Sequence, residues 1–234
     1  MLSLAAMKMA AFAAVAGLSG LAIFGQFTGR PMEPEMVRVE RAGGGALAVA
    51  KFEVSWIQWK QCHDAGGCAF LPDPGMPAAG QSFPVTGVNR LDVEQFIGWL
   101  NGKSGKTYRL PTQAEWREIA AEIPRPKRAK LFSDPRLAWA ADYGSMQQVS
   151  ARIESAGHFG AVGSGIADLA GNVWEWTSTC AVAGFDAAAC PAFVAEGAHE
   201  TSMSVFVRDP AFGGCAIGLP PANIGFRLVS TDPV

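Results

Sequence analysis

The segment Asp168-Leu-Ala-Gly-Asn-Val-Trp-Glu-Trp-Thr, residues 168–177, constrains the fold of this chain more than any other feature of its sequence. Its Gly-Asn pair indicates a tight turn, because both residue types tolerate turn conformations. Trp174 and Trp176 follow the turn and are predicted to pack in the core. A carboxylate stands on each side of the turn, at Asp168 and Glu175. A fold that buries the two tryptophans therefore has to supply partners for two acidic side chains nearby.

Two amphipathic helices are predicted from the spacing of apolar side chains. The apolar positions of the first are Val93, Phe96, Ile97 and Leu100. This helix is predicted to stop at Asn101-Gly102. The second begins at Thr112, which can form a capping box with Glu115, and is predicted to end at Pro124. Its apolar stripe consists of Trp116, Ile119, Ala120 and Ile123.

Shorter elements are predicted on either side of these helices. Imperfect alternation of apolar residues over 47–54 indicates a strand, and Ser55 can cap a short helix that runs to Trp59. Residues 106–110 are predicted to be extended, and residues 226–229 are predicted to form a closing strand. Two helices packed against a small sheet are therefore the expected scaffold.

The composition limits both the fold class and the function. Of 234 residues, 27 are glycine and 15 are proline, which is many for a helical protein, while 49% are hydrophobic and can build one sizeable core. The fold is therefore predicted to be α+β, loop-rich and low in regular secondary structure. The net charge is −2 and the sequence has no run of lysine or arginine, so nucleic-acid binding is not expected.

The N-terminal stretch from Met9 to Phe27 carries no charge and follows Lys8, in the layout of a secretory signal. Its length lies between the usual signal core of about 7–15 residues and the roughly 20 residues of a spanning helix. Residues 1–28 are therefore predicted to be a signal peptide or an N-terminal membrane anchor, residues 29–46 a linker and residues 47–234 the folded domain. We expect a periplasmic or secreted protein that contacts the membrane only through this segment, if the segment is not cleaved.

Export to an oxidising compartment would allow the five cysteines to form disulfides. Cys62 and Cys68 bracket a short turn-forming loop and are predicted to pair. Cys180 and Cys190 bracket an alanine-rich loop and form a second candidate pair, although pairing of Cys190 with Cys215 is equally open from the sequence. One cysteine is left over in either case, as a free thiol or as an intermolecular partner.

Three segments of the chain, in this order, resemble the formylglycine-generating enzyme (sulfatase-modifying factor) family. The first includes Arg109-Leu-Pro-Thr-Gln-Ala-Glu-Trp116, the second is the 168–177 segment, and the third joins Gly213-Gly214 to Asn223-Ile-Gly-Phe-Arg227. With the Phe52-Glu-Val54 entry they extend over most of the chain after the N-terminal stretch. The resemblance implies a compact, loop-rich α+β domain related to C-type lectins.

The resemblance also implies a calcium ion at the 168–177 segment. Carried over residue by residue, Asp168 and Glu175 would give side-chain oxygens, while Gly171 and Val173 would give their carbonyls. Hard cations such as calcium take several oxygen ligands of these kinds. The residues themselves allow an alternative, in which Glu175 accepts hydrogen bonds from the turn and the tryptophans pack in the core.

Arg109 and Arg227 belong to the same motifs and have two possible roles. A guanidinium can make bidentate hydrogen bonds to a carboxylate in the core, or it can bind a substrate. Nothing around either arginine in the sequence marks a substrate site. We therefore predict a structural role for both.

The copper site of the family is not expected in this chain. Its two closely spaced cysteines would lie between Gly213-Gly214 and the Gly-Phe-Arg ending, where this chain has Cys215 alone. Thiolates select Cu(I), and one thiolate cannot reproduce a two-thiolate site, so Cys215 and Cys190 are only weak catalytic candidates. Another branch of the superfamily holds iron through histidines. The histidines of this chain lack a ligand spacing and are His63, His158 and His199.

The sequence thus predicts a non-catalytic accessory or binding module whose partner is another periplasmic protein. The ending of the chain also resembles the NirV-like subgroup, which is encoded near copper nitrite reductases. That resemblance implies a role in denitrification or in the maturation of a copper enzyme. Two alternatives are a copper- or iron-dependent oxidase of formylglycine-generating type and a calcium-stabilised, lectin-like ligand-binding domain.

Overall fold

The computed structural model describes residues 29–72, 82–123, 153–186, 189–190, 192–197 and 224–232. Within these ranges the chain forms three helices and seven short strands, which are joined by long loops and arranged in two sheets. The predicted α+β class is confirmed. Among the described helices, none has both the length and the apolar character required to cross a bilayer. The predicted signal or anchor, residues 1–28, lies outside the described residues.

The larger sheet has the strand order β1-β2-β7-β3 with antiparallel neighbours. Its strands are β1 (Met36–Glu40), β2 (Ala46–Ala50), β3 (Tyr108–Arg109) and β7 (Val229–Ser230). The strand predicted over 47–54 is present as β2, and only the last residue of the predicted 226–229 strand belongs to β7. The strand β7, which is the last described strand in the chain, pairs with both β2 and β3 and so joins them into one sheet.

The predicted linker, residues 29–46, has to be corrected because it contains β1. This strand pairs with β2 along its whole length, from Met36 opposite Ala50 to Glu40 opposite Ala46. The glycine run is the turn of this hairpin, with φ angles of 89° at Gly44 and 80° at Gly45. Glycine adopts such angles without steric cost. The run therefore reverses the chain and does not separate a tail from the domain.

The three described helices each begin with a capping box, in which the cap side chain and the third helical residue bond to each other's backbone. The helices are α1 (Trp56–Asp64), α2 (Arg90–Ser104) and α3 (Gln113–Ile119). The caps predicted at Ser55 and Thr112 are confirmed. The helix α3 ends five residues before Pro124, so the predicted end was too late.

The helix α2 continues past its predicted stop at Asn101-Gly102 and ends at Ser104, with Gly105 as its C-cap at a φ of 71°. Asn101 lies inside the helix, and its side chain bonds to the backbone of Tyr108. Its amide accepts a hydrogen bond from the Tyr108 backbone N–H at 2.8 Å and donates one to the Tyr108 carbonyl at 2.9 Å. These bonds attach α2 to β3, and the left-handed cap falls on the next glycine that can adopt it.

The smaller sheet has the order β5-β4-β6 and carries the 168–177 motif. Its strands are β4 (Trp174–Cys180), β5 (Phe193–Glu196) and β6 (Ile224–Gly225). As predicted, the motif tryptophans lie in the core, with Trp176 at 0% and Trp174 at 9% exposure. Aromatic rings fill the space between this sheet and the helices. Phe96 stacks on Trp59 at a centroid distance of 5.4 Å and meets Phe226 edge-on at 5.7 Å.

Both predicted disulfides are formed, Cys62 with Cys68 and Cys180 with Cys190. The first closes the loop after α1, and the second joins the end of β4 to the residues before β5. The alternative pairing of Cys190 with Cys215 is therefore not formed. Cys215 itself lies outside the described residues.

Candidate functional site

The turn that leads into β4 is held by the side chain of Asp168, which is almost fully buried. Its two carboxyl oxygens accept backbone hydrogen bonds from Gly157 and from Phe159, the latter at 2.9 Å. Asp168 and Asn172 adopt positive φ angles of 63° and 68°. Aspartate and asparagine tolerate this conformation better than other residues with a side chain. The sequence of the motif therefore suits the turn that it forms.

Glu175 follows the turn as the second residue of β4 and is 1% exposed. Its Oε1 accepts from Arg227 Nε at 2.9 Å and from Arg227 Nη2 at 2.6 Å. Its Oε2 accepts from Arg227 Nε at 2.7 Å and from Trp116 Nε1 at 2.8 Å. A carboxylate has about four lone-pair positions. Three N–H groups therefore donate to Glu175, and the Nε–H of Arg227 is shared between its two oxygens.

Arg227 lies between β6 and β7 and is completely buried. Its Nη1 donates to the carbonyls of Ala50 and Lys51, both at 3.2 Å, and its Nη2 donates to the Ala167 carbonyl at 3.1 Å. Burial alone would lower the pKa of Arg227, but the carboxylates around it, Glu175 foremost, raise the pKa above its ordinary value. One guanidinium thus joins both sheets and the turn that precedes β4.

These contacts bear on the calcium ion that the resemblance implies. Calcium takes about 6–8 oxygen ligands and would need oxygens from Asp168 and Glu175. The oxygens of Glu175 are occupied by Arg227 and Trp116, and those of Asp168 by two backbone N–H groups. The residues present therefore do not fit the ion. The alternative interpretation expected Glu175 to accept hydrogen bonds from the turn, whereas its donors are Arg227 and Trp116 and the backbone donors go to Asp168.

Arg109 makes the second motif ion pair. Its Nη1 and Nη2 bond to the two oxygens of Glu115 at 2.7 and 2.8 Å, and Glu115 also accepts from the Thr112 backbone N–H at 2.8 Å. The Arg109 guanidinium is the main cause that lowers the pKa of Glu115 to about 2. Both arginines make the multiple hydrogen bonds to a carboxylate that a structural role predicts.

Of the two weak catalytic candidates, the structure describes Cys190, while Cys215 lies outside the described residues. Cys190 is bound to Cys180, so its thiol is not free. His63 lies on α1 with Nδ1 at 3.4 Å from Asp64, and His158 meets Phe159 edge-on at a centroid distance of 5.0 Å. Over the described ranges, no group of three or more histidine, cysteine or acidic side chains is placed to hold a metal ion. His199 lies outside those ranges.

Glu53 is the residue of this region that the sequence reasoning missed. Its side chain is 1% exposed, and Oε1 lies 4.0 Å from Arg227 Nη2. Neither oxygen makes a hydrogen bond to another residue that the structure describes. Burial is the main cause that raises the pKa of Glu53 to about 8. The one local signal is an acidic residue within the apolar run of residues 47–54, and its neighbours come from distant segments.

The Sulfatase-modifying factor enzyme 1-like domain matches residues 25–232 of this chain. The match extends over both sheets, the three described helices and the residues Glu53, Asp168, Glu175 and Arg227. Among curated proteins, none matches the chain.

Solved structures with a similar fold include three proteins. Treponema denticola variable protein 1 has a TM-score of 0.55 and 16% identity, over 84% of this chain and 95% of that chain. PvdO from Pseudomonas aeruginosa has a TM-score of 0.53 and 21% identity, over 80% and 81%. CarF has a TM-score of 0.54 and 17% identity, over 85% and 98%. At these identities the likeness shows the fold alone.

Proposed function

Because the chain belongs to the family of Sulfatase-modifying factor enzyme 1-like domains, which accounts for residues 25–232, we propose that it is an exported member that keeps the fold without the family's copper chemistry. It serves as a non-catalytic accessory module that binds another protein of the cell envelope. The observation that carries this proposal is the state of its cysteines.

Four of the five cysteines form the two disulfides, and Cys215 remains. A Cu(I) site built from two thiolates needs a second free thiol in the same chain. Cys190 was the candidate, and it is bound to Cys180. The disulfide-bonded protein can offer one thiol per chain, which supports a role other than two-thiolate copper oxidation.

The charged residues of the motifs also support a structural use of the fold. Arg227 is paired with Glu175, and Arg109 with Glu115, in each case through more than one hydrogen bond. The Arg227 and Glu175 side chains are also out of reach of a substrate, because they are 0% and 1% exposed. The motifs that mark the family therefore stabilise the domain here.

The two disulfides support the place of action as well. Each closes a short loop, with sequence separations of 6 and 10, and such bonds persist in oxidising compartments. We place the protein in the periplasm or outside the cell, with residues 1–28 as its signal or anchor. The partner that we propose is a periplasmic protein of denitrification or of copper-enzyme maturation, in keeping with the NirV-like ending.

A copper titration tests the chemical part of the proposal. Disulfide-intact protein is titrated with Cu(I) against a competing chelator, beside the matched variant Cys215→Ser. We expect the two proteins to lose copper to the chelator alike. Stoichiometric copper that is retained by the wild type and lost in Cys215→Ser, together with conversion of a peptide cysteine to an aldehyde, would establish the oxidase and overturn the proposal.

Capture of the partner tests the accessory role. The tagged full chain is produced in its own host, crosslinked gently in the envelope fraction and purified beside an unrelated exported domain with the same tag. We expect one envelope protein to be enriched over this control and to bind the purified domain saturably. Enrichment of nothing over the control, or loss of binding with purified components, would contradict the role.

A further inference from the structure

Three buried carboxyl groups surround one buried guanidinium at the junction of the two sheets. Asp168 and Glu175 are each 1% exposed, the Glu53 side chain is equally buried, and Arg227 is 0% exposed. Arg227 attracts Glu53, whereas Glu175 and Asp168 repel it. With all four groups ionised, the junction would hold three negative charges against one positive charge.

The hydrogen bonds of Arg227 leave no donor for Glu53. A guanidinium has five N–H groups. The Nε group is shared between the two oxygens of Glu175. The Nη1 groups go to the carbonyls of Ala50 and Lys51, and the Nη2 groups go to the Ala167 carbonyl and to Glu175. Glu53 Oε1 is 4.0 Å from Nη2, close enough for attraction and too far for a hydrogen bond.

An ionised carboxylate without a hydrogen-bond donor is costly to bury, and a buried group usually neutralises itself by changing its protonation. We infer that Glu53 is a neutral carboxylic acid in the folded protein at neutral pH and that its ionisation is a pH-sensitive switch in the junction between the sheets. The proton on Glu53 changes the net charge of the cluster from −2 to −1.

The direction of the pH effect follows from where the proton is held. The folded protein holds the proton of Glu53 up to pH about 8, whereas the unfolded chain releases it near the ordinary pKa of 4.5. Between these values folding takes up one proton. Stability is therefore greatest at the acidic end of this window and falls as the pH rises through it, by about tenfold in the folding equilibrium constant per pH unit. Above pH about 8 the effect is complete.

A surface groove gives the ionised side chain a route to water. Glu53 is one of the residues that line this groove, which has a volume of about 570 Å³. Glu33 and Glu35 line it as well, and they are paired with Lys106 and Lys51 at 2.7 and 2.9 Å. Because both lysines are already paired with these glutamates, we expect the ionised Glu53 side chain to be solvated by water in the groove. Ionisation is expected to turn the carboxylate toward the groove and to loosen the contacts around Arg227.

The experiment compares chemical denaturation from pH ~5 to pH ~9 in the full chain and in Glu53→Gln, which mimics the neutral acid. Glu35→Gln is the matched control, because Glu35 lines the same groove with its side chain 61% exposed. All three proteins carry Cys215→Ser, so that no free thiol attacks the disulfides at alkaline pH. We expect Glu53→Gln to lose the fall in stability between pH ~5 and ~8, and Glu35→Gln to keep it.

Infrared spectroscopy provides a second measurement that does not depend on the folding of Glu53→Gln. We expect the carbonyl band of a protonated carboxylic acid in the reference protein at neutral pH and its loss on alkaline titration. Equal pH slopes in Glu53→Gln and Glu35→Gln would overturn the inference. So would the absence of the protonated-acid band from the reference protein at neutral pH.

Discussion

Replacement of Glu175 by glutamine is the change that should cost this domain the most stability for the loss of a single charge. The amide keeps the volume of the side chain but has one acceptor oxygen and two donor hydrogens. Its single oxygen cannot replace both carboxylate oxygens, to which Arg227 and Trp116 donate three N–H groups. Arg227 is 0% exposed and would lose the carboxylate that accepts its Nε and Nη2 hydrogen bonds.

The magnitude follows from this burial. Removal of one partner from a buried ion pair costs about 3–5 kcal/mol, and in Glu175→Gln the buried N–H groups of Arg227 lose the acceptor that is nearest to them. A domain of ordinary stability has about 5–15 kcal/mol in total. With a urea dependence of about 2 kcal/mol per molar, the unfolding midpoint of Glu175→Gln should fall by about 2 M.

The assay is urea denaturation of the disulfide-bonded protein, followed by the fluorescence of its seven tryptophans. Glu40→Gln is the matched control, since Glu40 pairs with Arg38 at 2.8 Å while both side chains are largely exposed, at 71% and 60%. Exposed pairs of this kind contribute about 0–1 kcal/mol, so this variant should unfold close to the wild type. A midpoint for Glu175→Gln no lower than that of Glu40→Gln would refute the reasoning.

Three further outcomes are expected. Glu115→Gln should weaken the fall in the free energy of unfolding at acidic pH. The lowered pKa of Glu115 gives stability that is present above pH 4.5 and is lost as the pH falls toward about 2. An acid titration that shows the same fall in the variant would contradict this. Gly225→Ala should destabilise by about 1–3 kcal/mol, since its Cβ would lie 2.8 Å from the Val85 carbonyl, whereas Gly98→Ala on α2 meets nothing within 4 Å and should stabilise by about 0.5–1 kcal/mol in the same denaturation assay. Melting in calcium and in chelator should coincide, because the oxygens of Glu175 are occupied; a higher melting temperature in calcium would show that they are not.

Several features were predictable because the groups that form them are close together in the chain. The caps at Ser55 and Thr112 each join residues three positions apart. The two disulfides close loops with sequence separations of 6 and 10. Burial of Trp174 and Trp176 followed from their chemical type. Local geometry and hydrophobicity decide such features with little help from the rest of the fold.

Other predictions were wrong or absent because the features that they concern depend on distant segments of the chain. The residues of β1 were assigned to a linker because of the prolines and glycines around them, and they form a strand because β2 offers a paired edge. The stop of α2 moved to Gly105 because Asn101 is needed by β3. The carboxylates of the 168–177 motif suited calcium as long as their hydrogen-bond partners were unknown.

The sequence alone determined which residues cap the helices, which cysteines lie near enough to pair, and that acidic side chains would be buried beside tryptophans. Only the tertiary structure decided how those charges are balanced. Glu175 obtains its cation from Arg227, 52 positions further along the chain, and Glu53 finds no donor among the described residues. Charge balance in a core depends on which distant groups share the same low-dielectric space, and the order of residues does not state this.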